Sequence, residues 1–309
     1  AGKTYPLQNG SLPIGIGEKV VVTSEEVPDT STTDPDDTKT EYTVTFEPLS
    51  NQVAFTLQLD AFEEAEDKMR PVISAGGNSR VFAIHDGGAM SLANLELRDG
   101  NATMDPDMVI ADDNGGLIHA AGTVIINSNV VLAGGQATNG GALFMTEGSG
   151  VAFASGGRFE DNTASQFGSV IATSDTFDGN IIGYDFYMAN NQAGAGGGVI
   201  YMDGGDPGDP GDPGDPNAVP PVPATPAVPA VQIGMELGNG TITGNTATQS
   251  GGGIRNSPNG GTASPTFTNC TISGNSAQDQ GGGIYINGGS ILTNCTISNN
   301  SAGSLGGGM

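Results

Sequence analysis

"NCTISGNSAQDQGGGI" (269–284) and "NCTISNNSAGSLGGGM" (294–309) are near-copies offset by 25 residues. Each holds an aliphatic residue, an asparagine three positions later, and a second aliphatic nine positions after that, behind glycines. The sets are Ile272, Asn275, Ile284 and Ile297, Asn300, Met309. The same internal spacing recurs at Ile242, Asn245, Ile254, at Asn162 to Ile171, and at Asn191 to Ile200. Weaker copies run through Leu132 with "NGGAL" (Leu143), Leu97 with "NGGLI" (Ile118), and "DGGAM" (Met90). Taking Met90, Ile118, Leu143, Ile171 and Ile200 as anchors gives steps of 28, 25, 28 and 29 residues. One step of 54 follows, then 30 and 25 through Ile284 and Met309.

A repeat of 25–30 residues with two-residue alternation inside it ("SILTNCTI", "TFTNCTI") specifies a β-solenoid. The regular leucine ladder and helical stretches of other short repeats are missing. In a parallel β-helix each coil pairs with the coils above and below at about 4.8 Å. Ile242, Ile272 and Ile297 then stack as an internal column, and Asn245, Asn275 and Asn300 share one corner where their amides bond along the axis. The glycine clusters supply turns that a Cβ would forbid.

Composition agrees. There are 51 glycines, no tryptophan, and only 14% charged residues, against what a helical protein would carry. The net charge of −25 speaks against nucleic acid and anionic membrane surfaces as partners. No apolar run is long enough to span a bilayer, and "AGKTYPLQNGS" is not a signal peptide.

The "FEDN" at 159–162 and the "GGLI", "GGAL" and "GGVI" at 115–118, 140–143 and 197–200 carry a resemblance. The chain resembles the chlamydial polymorphic outer-membrane (Pmp-like) proteins and related right-handed, pectate-lyase-like β-helix surface proteins, over roughly 79–309. Ile, Leu or Met replaces Phe in most copies. The resemblance implies an all-β, right-handed parallel β-helix, secreted or displayed at the cell surface for adhesion or assembly, without chemistry of its own.

Residues 1–78 lack the repeat and read as an N-terminal β-rich cap of strands around an acidic, Thr-rich loop at 25–40, with a short helix at 60–69. The Pro/Gly/Asp-rich "GGDPGDPGDPGDPNAVPPVPATPAVPAV" (204–231) is an insertion into the helix, in extended polyproline conformation. At "GGGM" the next coil should begin, so the domain is expected to be unfinished mid-repeat.

Candidate sites are sparse. No catalytic constellation is visible: after Arg98 the basic residues are only Arg158 and Arg255, and adjacent acids such as Glu160 and Asp161 point to opposite faces. Asp105, Asp107, Asp112 and Asp113 form the best calcium candidate, without the spacing of a known calcium loop. No other cofactor is indicated. His85 and His119 are isolated and read as structural. Cys270 and Cys295 hold equivalent places in adjacent coils, as a disulfide or a column of two thiols. Six glycosylation sequons begin at Asn9, Asn101, Asn239, Asn269, Asn294 and Asn299, although turns of a β-helix use the same residues. Outward hydroxyl pairs in "TIT", "TIS" and "TIS" fail in four of seven coils, where "ELR", "VLA", "RFE" and "YMA" stand instead. Phe and Tyr total 17 and look scattered.

The expected function is therefore a non-enzymatic extracellular structural or assembly protein of an appendage, filament or coat. Its partners would be itself or other extracellular structural proteins. An adhesin or glycan-binding rod is the alternative, and a polysaccharide lyase or hydrolase ranks last.

Overall fold

In a computed structural model of the chain, the described residues are the strands at 4–6, 12–14, 18–28, 38–48 and 55–58, and then 72–104, 112–153, 156–203, 232–257 and 262–309. They form a right-handed parallel β-helix of four parallel sheets. Sheet 1 has nine strands from Thr4–Pro6 to Thr296–Ser298, sheet 2 eight from Leu12–Ile14 to Ile284–Ile286. Sheet 3 has nine from Phe55–Gln58 to Ile291–Thr293, and sheet 4 six from Gln136–Asn139 to Ser301–Ala302.

The expected columns are present. Ile73, Leu97, Leu132, Phe159, Met188, Ile242, Ile272 and Ile297 pair in register through sheet 1. All of these from Leu97 to Ile272 are fully buried. The glycine-aliphatic anchors line sheet 2 as Ile118, Leu143, Ile171, Ile200, Ile254 and Ile284. Met90 is not one of them. It lies in sheet 3 opposite Val124, and Phe82 takes the place beside Ile118. That step is 36 residues, longer than the 25 to 29 of the three steps that follow, and "DGGAM" mimics an anchor by chance.

Strands attributed to a cap also join the helix. Thr4–Pro6 pairs with Val72–Ser74, Leu12–Ile14 with Phe82–Ile84, and Phe55–Gln58 with Met90–Ala93. Parallel pairing thus crosses the boundary placed at residue 79. Between them, Glu18–Pro28 and Thr38–Pro48 form an antiparallel hairpin. Its strands take up both ends of the stretch expected as a loop at 25–40, because the β-branched alternation of "EKVVVTSEEV" and "TKTEYTVTF" continues into it. The helix expected at 60–69 and the insertion at 204–231 lie outside the described residues.

The corners explain the residue choices. Asn94, Asn129, Asp185, Asn239, Asn269 and Asn294 all have φ between 51° and 60°, each two residues before a strand of sheet 1. Asp99, Asp161, Asn190 and Asn299 take the same left-handed conformation just after those strands, where other coils use Gly134, Gly244 and Gly274. Asn, Asp and Gly are the residues that tolerate this conformation. The sheet 1 strands are three residues long because both ends are turned in this way. At the glycine cluster the constraint is contact: a Cβ on Gly282 would lie 2.2 Å from the carbonyl oxygen of Ser301 in the next coil.

Inside the second corner runs a continuous amide ladder of Asn162, Asn191, Asn245, Asn275 and Asn300. The Asn191 backbone N–H and Nδ2 donate to Asn245 Oδ1 at 2.9 and 3.0 Å, and Nδ2 also donates to the Phe159 carbonyl at 3.0 Å. The same three bonds recur from Asn162 to Asn191 and Leu132. They recur again from Asn245 to Asn275 and Met188, and from Asn275 to Asn300 and Ile242. Each interior amide therefore spends both N–H groups and its oxygen on neighbouring coils, at full burial.

Asn245→Ala strips the acceptor from two Asn191 donors and leaves the Asn275 oxygen and the Met188 carbonyl short of a donor. With about 1–3 kcal/mol for an orphaned buried group, the expected loss is about 3 kcal/mol in urea unfolding. Thr243→Ala, half-exposed in the same coil, should stay within about 0.5 kcal/mol. Equal effects of the two changes would refute the ladder's role.

Candidate functional site: the outer stripe of sheet 2

Strand alternation leaves one outward residue per coil on sheet 2, directly after each glycine-aliphatic anchor. In register these are Ala83, His119, Phe144, Ala172, Tyr201, Arg255 and Tyr285. Outward positions of a half-solvated sheet are usually polar, yet His119, Phe144, Ala172 and Tyr201 are all buried, none more than 7% exposed. Phe144, Ala172 and Tyr201, with Phe167 packed against them, make an apolar cluster separate from the main core.

Phe167 stacks on Tyr201, with centroids 4.4 Å apart and planes 27° from parallel. It occupies space that only a glycine leaves free: a Cβ on Gly196 would lie 1.5 Å from the Phe167 ring. The Gly196 carbonyl accepts a hydrogen bond from the Arg255 guanidinium. That guanidinium lies between two rings, 5.6 Å from the centroid of Tyr201 and 5.6 Å from that of Tyr285. The Tyr201 hydroxyl donates to Asp203 Oδ2 at 3.1 Å. Burial, then the Asp203 charge and hydrogen bond, hold this phenol well above its ordinary pKa. At this end Arg255 and Tyr285 are half-buried, so an arginine and an aromatic edge face solvent together.

At the other end, His119 lies 5.4 Å from the Phe144 ring and its Nε2 is 3.1 Å from Asp112 Oδ2. Arg80, fully buried, donates to the Asp112 carbonyl at 2.5 Å and approaches its Oδ1 at 3.4 Å. Burial alone would raise the Asp112 pKa. The His119 hydrogen bond and charge, the Asn114 N–H and the Arg80 charge outweigh it and hold the carboxyl below its ordinary value.

The structure separates the other residues singled out by sequence. Asp112 is turned to Arg80 and His119 and Asp113 is exposed, while Asp105 and Asp107 lie outside the described residues. Among the described residues no group of three or more His, Cys, Asp or Glu could hold a metal ion. Glu160 pairs with Arg158, which lies over Tyr187, and Asp161 occupies a left-handed corner. Asn239, Asn269 and Asn294 form an exposed ladder through amide bonds of 3.1 and 2.7 Å, and Asn299 stands at the other corner. Asn101 accepts from the N–H and hydroxyl of Thr103 at 3.1 and 2.7 Å, and Asn9 is outside the described residues. Cys270 and Cys295 are free thiols in adjacent coils.

The sequence reading missed the stripe. Aromatics counted along the chain look scattered, yet Phe144, Tyr201 and Tyr285 hold one register position. The residue after each glycine-aliphatic anchor was the available signal.

Residues 269–293 match the Chlamydia polymorphic membrane protein repeat, within the coils where the Ile–Asn pattern is most regular. The chain is a parallel β-helix carrying a repeat of this type. Comparisons with curated proteins and with solved structures give no match. Among the described residues no helix is long and apolar enough to cross a membrane.

The depressed Asp112 carboxyl fixes a pH dependence. A carboxylate whose folded pKa lies below its unfolded value of about 3.9 stabilises the fold above that value, and the contribution disappears as pH falls through the folded pKa. Asp112→Asn should therefore lower the thermal midpoint at pH 6, by a margin that shrinks progressively as the pH falls below about 3.9. A deficit that stays constant down to pH 3 would show that the ion pair contributes nothing.

Proposed function

We propose that the protein is a non-enzymatic, surface-exposed β-helical rod that acts by contact, holding a glycan or protein partner against the outer face of sheet 2. The observation that carries this reading is the Tyr201–Arg255–Tyr285 stack, a cation clamped between aromatic faces at the half-open end of a preorganised stripe. Aromatic faces with a fixed polar neighbour suit the apolar faces and hydroxyls of sugars, and equally a tyrosine- and arginine-rich protein hot spot. The repeat match supports a cell-surface setting. Glycosidase chemistry is disfavoured by spacing: Asp112 is tied to His119 and Asp203 to Tyr201, three coils apart. That is about 14 Å by strand spacing, beyond the roughly 5–9.5 Å of acid/base pairs.

Assembly into a filament or coat is the second reading, favoured by a different face. Ile125 and Ile182 share one outer row of sheet 3 and are 40% and 39% exposed, with Tyr184 beside them at 36%. Lateral packing of rods would cover that row.

A glycan array and a panel of extracellular proteins, probed with the wild type and with an Arg255→Ala/Tyr285→Ala variant of unchanged circular dichroism, separate the two. Contact through sheet 2 predicts at least about tenfold weaker binding by the variant. Unchanged binding refutes it. Filaments in electron micrographs that disappear on Ile125→Ser/Ile182→Ser, without partner binding, would favour assembly.

A further inference from the structure

The edge of sheet 1 carries two thiols that the contact reading does not use. Cys270 and Cys295 follow left-handed asparagines and precede Thr271 and Thr296, which pair in register. On the other side Asn294 Nδ2 donates to Asn269 Oδ1 at 2.7 Å. With both flanks aligned, the two Cα atoms are one strand spacing apart, about 4.8 Å, inside the roughly 4.4–6.8 Å that a disulfide spans. The side chains turn alike: Cys270 Sγ lies 3.5 Å from the Thr268 carbonyl and Cys295 Sγ 3.4 Å from that of Thr293, and Thr268 and Thr293 are themselves partners. Access differs. Cys270 is 2% exposed, and Cys295 is half-buried. Burial, foremost among several influences, pushes the Cys270 thiol up. Cys295 is therefore the sulfur that an external oxidant meets first.

We propose that Cys270 and Cys295 are an inter-coil redox pair, closed to a disulfide by a small disulfide oxidant such as oxidised glutathione. Cys295, as its thiolate, attacks one sulfur of the oxidant. The oxidant's S–S bond breaks, one thiol departs with a proton, and a mixed disulfide remains on Cys295. Cys270 then gives up its proton and attacks the Cys295 sulfur, expelling the second thiol, which takes up a proton. Two protein thiols lose two electrons in total, and one oxidant becomes two thiols. The bond ties successive coils at equivalent points and so opposes their separation, whatever partner sheet 2 holds.

The full-length chain, reduced and then equilibrated with oxidised glutathione, tests this by peptide mapping. No Lys or Arg follows Arg255, so trypsin leaves both cysteines in one peptide, whereas cleavage at Asp279 parts them. The expected product is a Cys270–Cys295 cross-linked peptide pair lacking two hydrogen atoms, with neither thiol alkylated. Cys270→Ser should instead stall with glutathione on Cys295. The proposal is overturned if both wild-type thiols remain alkylatable, if glutathione stays on wild-type Cys295, or if the bond joins two chains. Amide exchange over 296–303 should be at least about tenfold slower in the oxidised form. Equal exchange in the two forms would overturn the staple.

Discussion

The structure depends on one requirement: the amides of the buried corner ladder must find their partners in the coils on either side. Asn191 meets it with two donors to Asn245 and one to Phe159, and it accepts from Asn162 in turn. None of these bonds lies within a single coil. A buried amide is costly unless satisfied, so one coil cannot be stable without copies of itself. This requirement forces near-repetition of the sequence, and the hydrophobic columns reinforce it. Where the ladder is lacking, the corner is glycine: Gly135 places only its N–H there, donating to Asn162 Oδ1 at 2.9 Å.

The same corners determine how polar residues distribute over the surface. A strand of three residues between two left-handed turns presents only two outward side chains per coil on sheet 1. Asparagine ahead of a β-branched strand residue produces Asn-x-Thr at 239, 269 and 294 for conformational reasons alone. The exposed asparagine ladder and these three sequons are thus one feature. A glycan on the Nδ2 of Asn269 or Asn294 would leave a single N–H to carry the bond to the preceding coil.

Residues whose role repeats were legible in the sequence. Ile242, Asn245, Ile272, Asn275, Ile297 and Asn300 could be placed because the same physical problem is solved at each coil. Residues whose neighbours are set by coil length were not. Met90 looked like an anchor because its glycines are right, and only the 36-residue coil length shows otherwise. Asp112 looked like one acid among four, but pairing with His119 and Arg80 depends on folding a coil back over 32 residues to Arg80. The aromatic stripe has no local signature, since one residue per coil at steps of 25 to 54 leaves no short-range pattern.

Charge narrows what can lie against such a rod. The described arginines are all engaged: Arg80 with Asp112, Arg98 with Glu96 and Asp99, Arg158 with Glu160 and Tyr187, Arg255 with Gly196 and two tyrosines. No described arginine is therefore left over to attract an anionic partner, and the long-range field of a chain of net charge −25 repels one. A neutral glycan or a basic protein surface meets no such barrier. The cation between Tyr201 and Tyr285 is then better understood as rigidifying the aromatic edge than as a point of charge recognition. A rigid aromatic edge favours partners whose own faces are flat and weakly hydrated.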